Sequence, residues 1–301
     1  MRAEEGGSGH YLPGATASFI DALPGKEAFA CLDAFTYYNG SAGGSRQLPL
    51  GGMLAANIDA TAYADTAILI YETPWKLFGG QYAVGAAIPY IWMDVKADVQ
   101  HAGTLGGRQF VAASDGADGV GDIEILPVMF GWTEGDLRFG GRLGLYTPTG
   151  EYNKGHLANV GKNYWTFEPG LNVSWLGSQS GMEVSLFAGC DFNTKNDKTD
   201  YQSGDVFHVD GTVAEHLPLL GGFMGVGANA FYYLQISRDS GSGTVLGDFE
   251  GQTIGVGPVL SYTHKLGKKT DFVAEVKWLP ELDVTKRLKG DAIWFKLALV
   301  F

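Results

Sequence analysis

Only two cysteines, Cys31 and Cys190, occur in 301 residues. They are too few and too far apart for a disulfide scaffold or a CxxC metal site, so two unpaired thiols are expected. Long apolar runs are also missing. No stretch approaches the ~18 residues that a transmembrane helix needs. Basic residues are scarce: 21 Lys and Arg face 33 Asp and Glu, giving a net charge of -12 with no basic cluster. Nucleic acid is therefore excluded as a partner. The opening MRAEEGGSGHY lacks an apolar signal core, which predicts that any secretory signal has been removed. His101 lies near Asp98 and His208 near Asp210, each without a third ligand, so neither metal nor cofactor is expected. No glycine loop joins a strand to a helix, which removes the phosphate-binding motifs.

What is abundant is glycine, at 45 residues, with aromatics at 13% of the chain. Period-two alternation dominates, and no amphipathic helix competes with it. Twelve strands are predicted near 28–39, 53–74, 81–98, 120–134, 136–148, 164–177, 181–195, 204–217, 222–238, 250–266, 270–280 and 291–301. Most reach the ~9–11 residues that cross a bilayer obliquely. Their connections alternate in length. KLFGG, EGD, GSQS, PLLGG and LGKK are short. GSAGGSRQLPLGG, 98–119, GEYNKGHLANVGKN, DSGSGTVLGD and the stretch around ELDVTKRLKG are long, with NDKTDYQS intermediate. Short turns at every second connection fit an outer-membrane barrel rather than a soluble sandwich. The fold expected is all-β, a transmembrane antiparallel barrel of about 12 strands over 28–301, closed because hydrocarbon tolerates no open sheet edge.

Parity assigns the faces. In TDFVAEVKWL, Phe272, Ala274, Val276 and Trp278 oppose Asp271, Glu275 and Lys277. Similar reasoning predicts a lumen lined by Asp33, Asp59, Asp122, Glu124, Glu168, Glu183, Asp191, Asp210, Asp271 and Glu275, with Arg138, Arg142, Lys277 and Lys296 as the bases. The acidic excess predicts preference for cations. Phe35, Tyr37, Phe130, Trp132, Tyr146, Phe187, Phe231, Tyr233 and Trp294 are also assigned inward. Twelve strands leave a lumen between a packed one and an open one. Residues 1–27, with His10, Tyr11, Pro13 and Phe19, are too apolar for a simple solvated tail. They read either as a plug in the lumen or its mouth, or as a disordered periplasmic tail.

EGGSGHYLPG, SFIDALPG and AFTYYNGSAG resemble the start of the meta-pathway phenol-degradation family of outer-membrane proteins, and TPTGEYN, NVGKNYWTFEPGLNVSW and the terminal FKLALVF are similar to it too. The resemblance implies a bacterial outer-membrane channel for small hydrophobic or aromatic molecules, without catalytic residues. The expected surroundings are the lipid bilayer and lipopolysaccharide of a Gram-negative outer membrane, small-molecule solutes and the outer-membrane assembly machinery. A monomer is expected. A lipid acyl hydrolase and a structural or adhesive barrel stand as alternatives. The ending IWFKLALVF, apolar at alternate positions and finished by Phe301, suits the closing strand.

Overall fold

Alternating side chains hold the backbone extended, and the computed structural model, which describes residues 5–23, 25–44, 47–102, 108–244 and 250–301, is built almost wholly of strands. They are β1 (Ala28–Ala42), β2 (Leu48–Leu50), β3 (Met53–Leu77), β4 (Gly80–Ala102), β5 (Arg108–Val120), β6 (Glu124–Glu134), β7 (Leu137–Tyr146), β8 (Thr166–Leu176), β9 (Met182–Asn193), β10 (Val206–Leu219), β11 (Gly222–Gln235), β12 (Gln252–Leu266), β13 (Thr270–Thr285) and β14 (Lys289–Val300). Each neighbour pair is antiparallel. The seam closes where β1 pairs with β14, from Ala30 opposite Val300 to Ser41 opposite Lys289. Among the described residues, twelve of the fourteen strands form the wall; β2 and β5 are additions at its long-loop end.

β5 corrects the expectation of a loop across 98–119. Its VAASDGADGV sequence, rich in Gly and Asp, reads as a turn, yet the upper half of β4 offers an unpaired ladder. Tyr90 to Ala102 of β4 pair with Val120 to Arg108. Backbone pairing overrides the weak propensity. β4 then passes to β6, with Gln81 opposite Gly131. A second correction concerns β13 and β14, which extend to Thr285 and resume at Lys289, so their connection is short rather than long.

Local chemistry explains the tight turns. Phe78 and Gly79 between β3 and β4 both have positive φ, at 52° and 79°, as do Leu220 and Gly221 between β10 and β11, at 49° and 78°. Two successive positive-φ residues match the twist of a hairpin, and glycine meets that demand without strain. Phe78 and Leu220 project into the surroundings at 78% and 85% exposure. Apolar side chains at the tips of such turns suit a membrane boundary.

Outside, β8 and β9 present Phe167, Leu171 and Val173, then Val184, Leu186 and Phe192, all exposed. Between them the inward positions Glu168, Ser174, Glu183, Ser185 and Asp191 are buried. Polar-in and apolar-out is the pattern of a barrel in lipid. The core therefore lies inside the barrel, where Tyr11, Tyr233, Lys277 and Leu279 are fully buried.

Candidate functional site in the barrel lumen

Two different chemistries line the inner wall. From β7 to β14 it is charged, and from β1 through β4 it is apolar. Residues 5–23 lie inside the barrel against the charged half. Near the long-loop end the Glu5 carboxylate accepts from the Tyr152 hydroxyl at 2.6 Å, Asn196 Nδ2 at 2.9 Å and Thr199 Oγ1 at 3.0 Å. Burial and the Glu5 charge raise the Tyr152 hydroxyl above its usual range, so it stays a donor. Lys162 Nζ donates to the Ser8 carbonyl at 2.6 Å. His10 Nε2 lies 2.9 Å from Asp122 Oδ2 and its Nδ1 2.7 Å from Thr166 Oγ1.

Further down, the Tyr11 hydroxyl donates to Asp210, and the Gly14 amide donates to the same carboxylate at 2.6 Å. Lys277 Nζ donates to the Gly14 carbonyl at 2.6 Å. Gly14 is required here, because its φ is +85° and an added Cβ would come within 2.2 Å of Leu279 Cδ1. Ser18 donates to Glu275, and the Phe19 amide donates to Glu183 at 2.8 Å. Phe19 packs edge-on against His216, which itself contacts Glu183 at 2.8 Å. Lys296 Nζ meets Asp21 Oδ1 at 2.7 Å. At the short-turn end, the Gly25 amide donates to Glu72 at 3.1 Å. The segment thus runs the length of the lumen, and its polar groups are met by wall side chains as burial demands.

Between this segment and the opposite wall lies a cavity of about 420 Å³. Its wall carries Leu32, Ala34 and Thr36 of β1, Ala60, Ala62, Ala64, Ile68 and Ile70 of β3, and Ile91, Met93 and Val95 of β4. Leu12 and Ile20 face it from the segment, and Glu124, Arg142 and Lys296 mark its polar margin. A mostly apolar cavity with a few convergent polar groups is the usual form of a small-molecule site.

The structure sorts the predicted residues. Glu124, Arg142, Glu168, Glu183, Asp191, Asp210, Glu275, Lys277 and Lys296 face inward. Arg138 and Asp271 share the inward parity at the short-turn end, where Arg138 is within electrostatic reach of both Asp271 and Glu72. Asp122 is buried but belongs to the break between β5 and β6, where it accepts from the Gly150 and Lys162 amides. His10, Tyr11, Pro13 and Phe19 all lie in the segment, with Pro13 buried.

Asp33 and Asp59 are corrections. Both are exposed on the outer face, opposite to Ala34 and Thr36 of β1 and to Ile58 and Ala60 of β3. Asp33 stands diagonally across from Asp65, another outward residue, on the neighbouring β3. A rule that turns polar residues inward picks the wrong face here, because the inner face of β1 and β3 is the apolar one. Phe35, Tyr37, Phe130 and Trp132 also point outward: Tyr37 packs on Tyr63, and Trp132 stacks on Phe139 at 5.2 Å. Among residues that sequence reasoning missed are Glu5, Asp21, Glu72 and His216, and His208 was set aside there for want of a third ligand. The last two share the inward parity of Asp210 in FHVDGTVAEH, which was the available signal.

The family described as "Putative MetA-pathway of phenol degradation" matches residues 39–297. The chain belongs to this family. Among solved structures, this family member is similar to an outer membrane channel from Pseudomonas putida F1, at 15% identity and a TM-score of 0.63, over 97% of this chain and 100% of that one. It is also similar to the β domain of the Bordetella autotransporter BrkA, at 11% identity and a TM-score of 0.47 over 92% and 99% of the two chains. The transport unit of the Escherichia coli autotransporter AIDA-I gives 9% identity and a TM-score of 0.47 over 94% of each. No curated protein matches the sequence. The fold this chain shares with the Pseudomonas putida protein is the closed antiparallel barrel of outer-membrane proteins, with an apolar outer band.

Proposed function

We propose that this protein is a diffusion channel for small hydrophobic or aromatic molecules, narrowed by residues 5–23. One observation carries the reading: the charged half of the lumen is occupied with holding the segment, while the apolar half lines the space that is left. The cavity volume of about 420 Å³ suits a molecule of one or two rings. The family description, which names phenol degradation, supports the same solute class. Residual ion flow prefers cations, because inward acids outnumber inward bases. Catalysis is not part of this reading. His10 lies in the segment and His208 and His216 pack against it, all away from the outer wall, where a lipid hydrolase would meet its substrate. The working form is a monomer in a bilayer with lipopolysaccharide, inserted by the outer-membrane assembly machinery.

Planar-bilayer recording of the full chain against a variant lacking residues 2–25 tests this. The expected outcome is a severalfold rise in conductance on deletion, a reversal potential favouring cations, and reduced ion flow when toluene or phenol is added. Unchanged conductance on deletion, or an anion preference, argues against the reading.

A further inference from the structure

Beneath Tyr11, three neighbouring strands bring Glu168 (β8), Asp191 (β9) and His208 (β10) together, with one donor atom from each within 4.8 Å of the others. We propose that these three side chains bind a divalent transition-metal ion. His208 is 2% exposed, and neither ring nitrogen makes a hydrogen bond. Its Nε2 points at Glu168 Oε1 and Asp191 Oδ1, 3.6 Å from each, and its Nδ1 is 3.9 Å from Asp210 Oδ2. A buried imidazole with both nitrogens short of hydrogen-bond distance is costly, and a cation between Nε2 and the two carboxylates removes that cost.

Three features support a metal rather than a bare ion pair. Bonds of 2.0–2.2 Å in a tetrahedral site separate donors by about 3.5 Å, close to the two 3.6 Å spans from His208. The ring's position is built in. It is stacked on Tyr11 with centroids 3.6 Å apart, and it lies over Gly189, where any Cβ would come within 2.6 Å of Nε2. Finally, charge is short. Four buried carboxylates, Glu124, Glu168, Asp191 and Asp210, share the region with Arg142, which donates to Glu168 Oε1 at 2.6 Å, and with Lys277, whose charge acts on Asp210. A centre of charge two beside His208 offsets the carboxylate charge that these two cations leave. One nitrogen with two carboxylate oxygens suits Zn²⁺, Mn²⁺ or Co²⁺ better than Ca²⁺ or Mg²⁺, which prefer all-oxygen shells. Because Tyr11 covers the site, the ion would also fix the ring against which residues 5–23 are seated.

The test is metal content of the full chain in detergent, folded as shown by its unboiled electrophoretic mobility. After incubation with Zn²⁺ and gel filtration, one equivalent per chain is expected, and Co²⁺ should give visible d–d absorption. His208→Gln and Asp191→Asn should each lower Zn²⁺ affinity at least about tenfold, while His216→Gln leaves it unchanged. Anomalous scattering from a Zn²⁺-soaked crystal locates the ion without any variant. No bound equivalent in the wild type, undiminished binding in both site variants, or an anomalous peak only at another place overturns the proposal.

Discussion

Lys277 is fully buried, and its ammonium joins the Gly14 carbonyl to Glu275, 3.3 Å away. Lysine earns no burial by hydrophobicity, so its place depends on those partners. Lys277→Met removes the charged donor but keeps the volume, and Lys296 remains 3.9 Å from Glu275 to limit the damage. Losing a hydrogen bond to a charged group costs about 1.5–3 kcal/mol, which would raise the population of unseated segment roughly tenfold to hundredfold. Single-channel recording should show this as more frequent open events. At the opposite wall, Asp33 and Asp65 stand among Phe29, Phe35, Tyr63, Leu69 and Tyr71 on the lipid-facing side. Acidic groups in that band are costly, and replacing both by Leu should stabilise the folded barrel by about 1–2 kcal/mol, measured by urea unfolding in lipid vesicles.

At the scale of elements, the connections at the long-loop end brace one another. Asp200 accepts from Lys195 Nζ at 2.7 Å and from the Ser242 hydroxyl and amide, joining residues 194–205 to 236–244. The Lys195 and Ser242 donors hold the Asp200 carboxyl well below the usual carboxylate range. A depressed carboxylate contributes above its unfolded pKa and is lost as pH falls through the folded one. This brace should therefore persist through neutral and mildly acid pH and fail only in strong acid. Asp200→Asn should raise cleavage of 194–205 by an externally added protease at neutral pH, read by gel electrophoresis.

β1, β3 and β4 show the limit of reading elements from sequence. Their extents were legible, because period two is a local property. Their facing was not, because Ala62, Thr66 and Ile68 line an apolar cavity while Asp59 and Asp65 face outward. On β8, β9 and β13, whose inner face is charged, the same parity rule gave the right face. β5 escaped notice because its pairing with β4 depends on a strand edge rather than on its own residues.

For the whole molecule, closure is decided at one seam. The Phe301 amide donates to the Phe29 carbonyl at 2.9 Å, and the Phe29 amide returns the bond to Phe301 at 3.2 Å. Deleting Phe301 removes both bonds and an outward aromatic at the barrel edge, where open backbone in lipid is penalised. Outer-membrane levels of the deletion should fall severalfold, with conductance per inserted molecule unchanged, as judged by immunoblot and bilayer recording.

The sequence by itself determined the number of crossings, the short turns of the hairpins and the charged inner face of β8, β9 and β13. Each of these is written within ten or twenty consecutive residues. Only the tertiary structure decided that residues 5–23 run inside the barrel, and that Tyr11 reaches Asp210 and Lys277 reaches Gly14. The same holds for Glu168, Asp191 and His208, which meet on three strands. Contacts 199 and 263 residues apart, or between side chains on three different strands, leave no periodic trace, because they depend on where closure of the barrel places each wall.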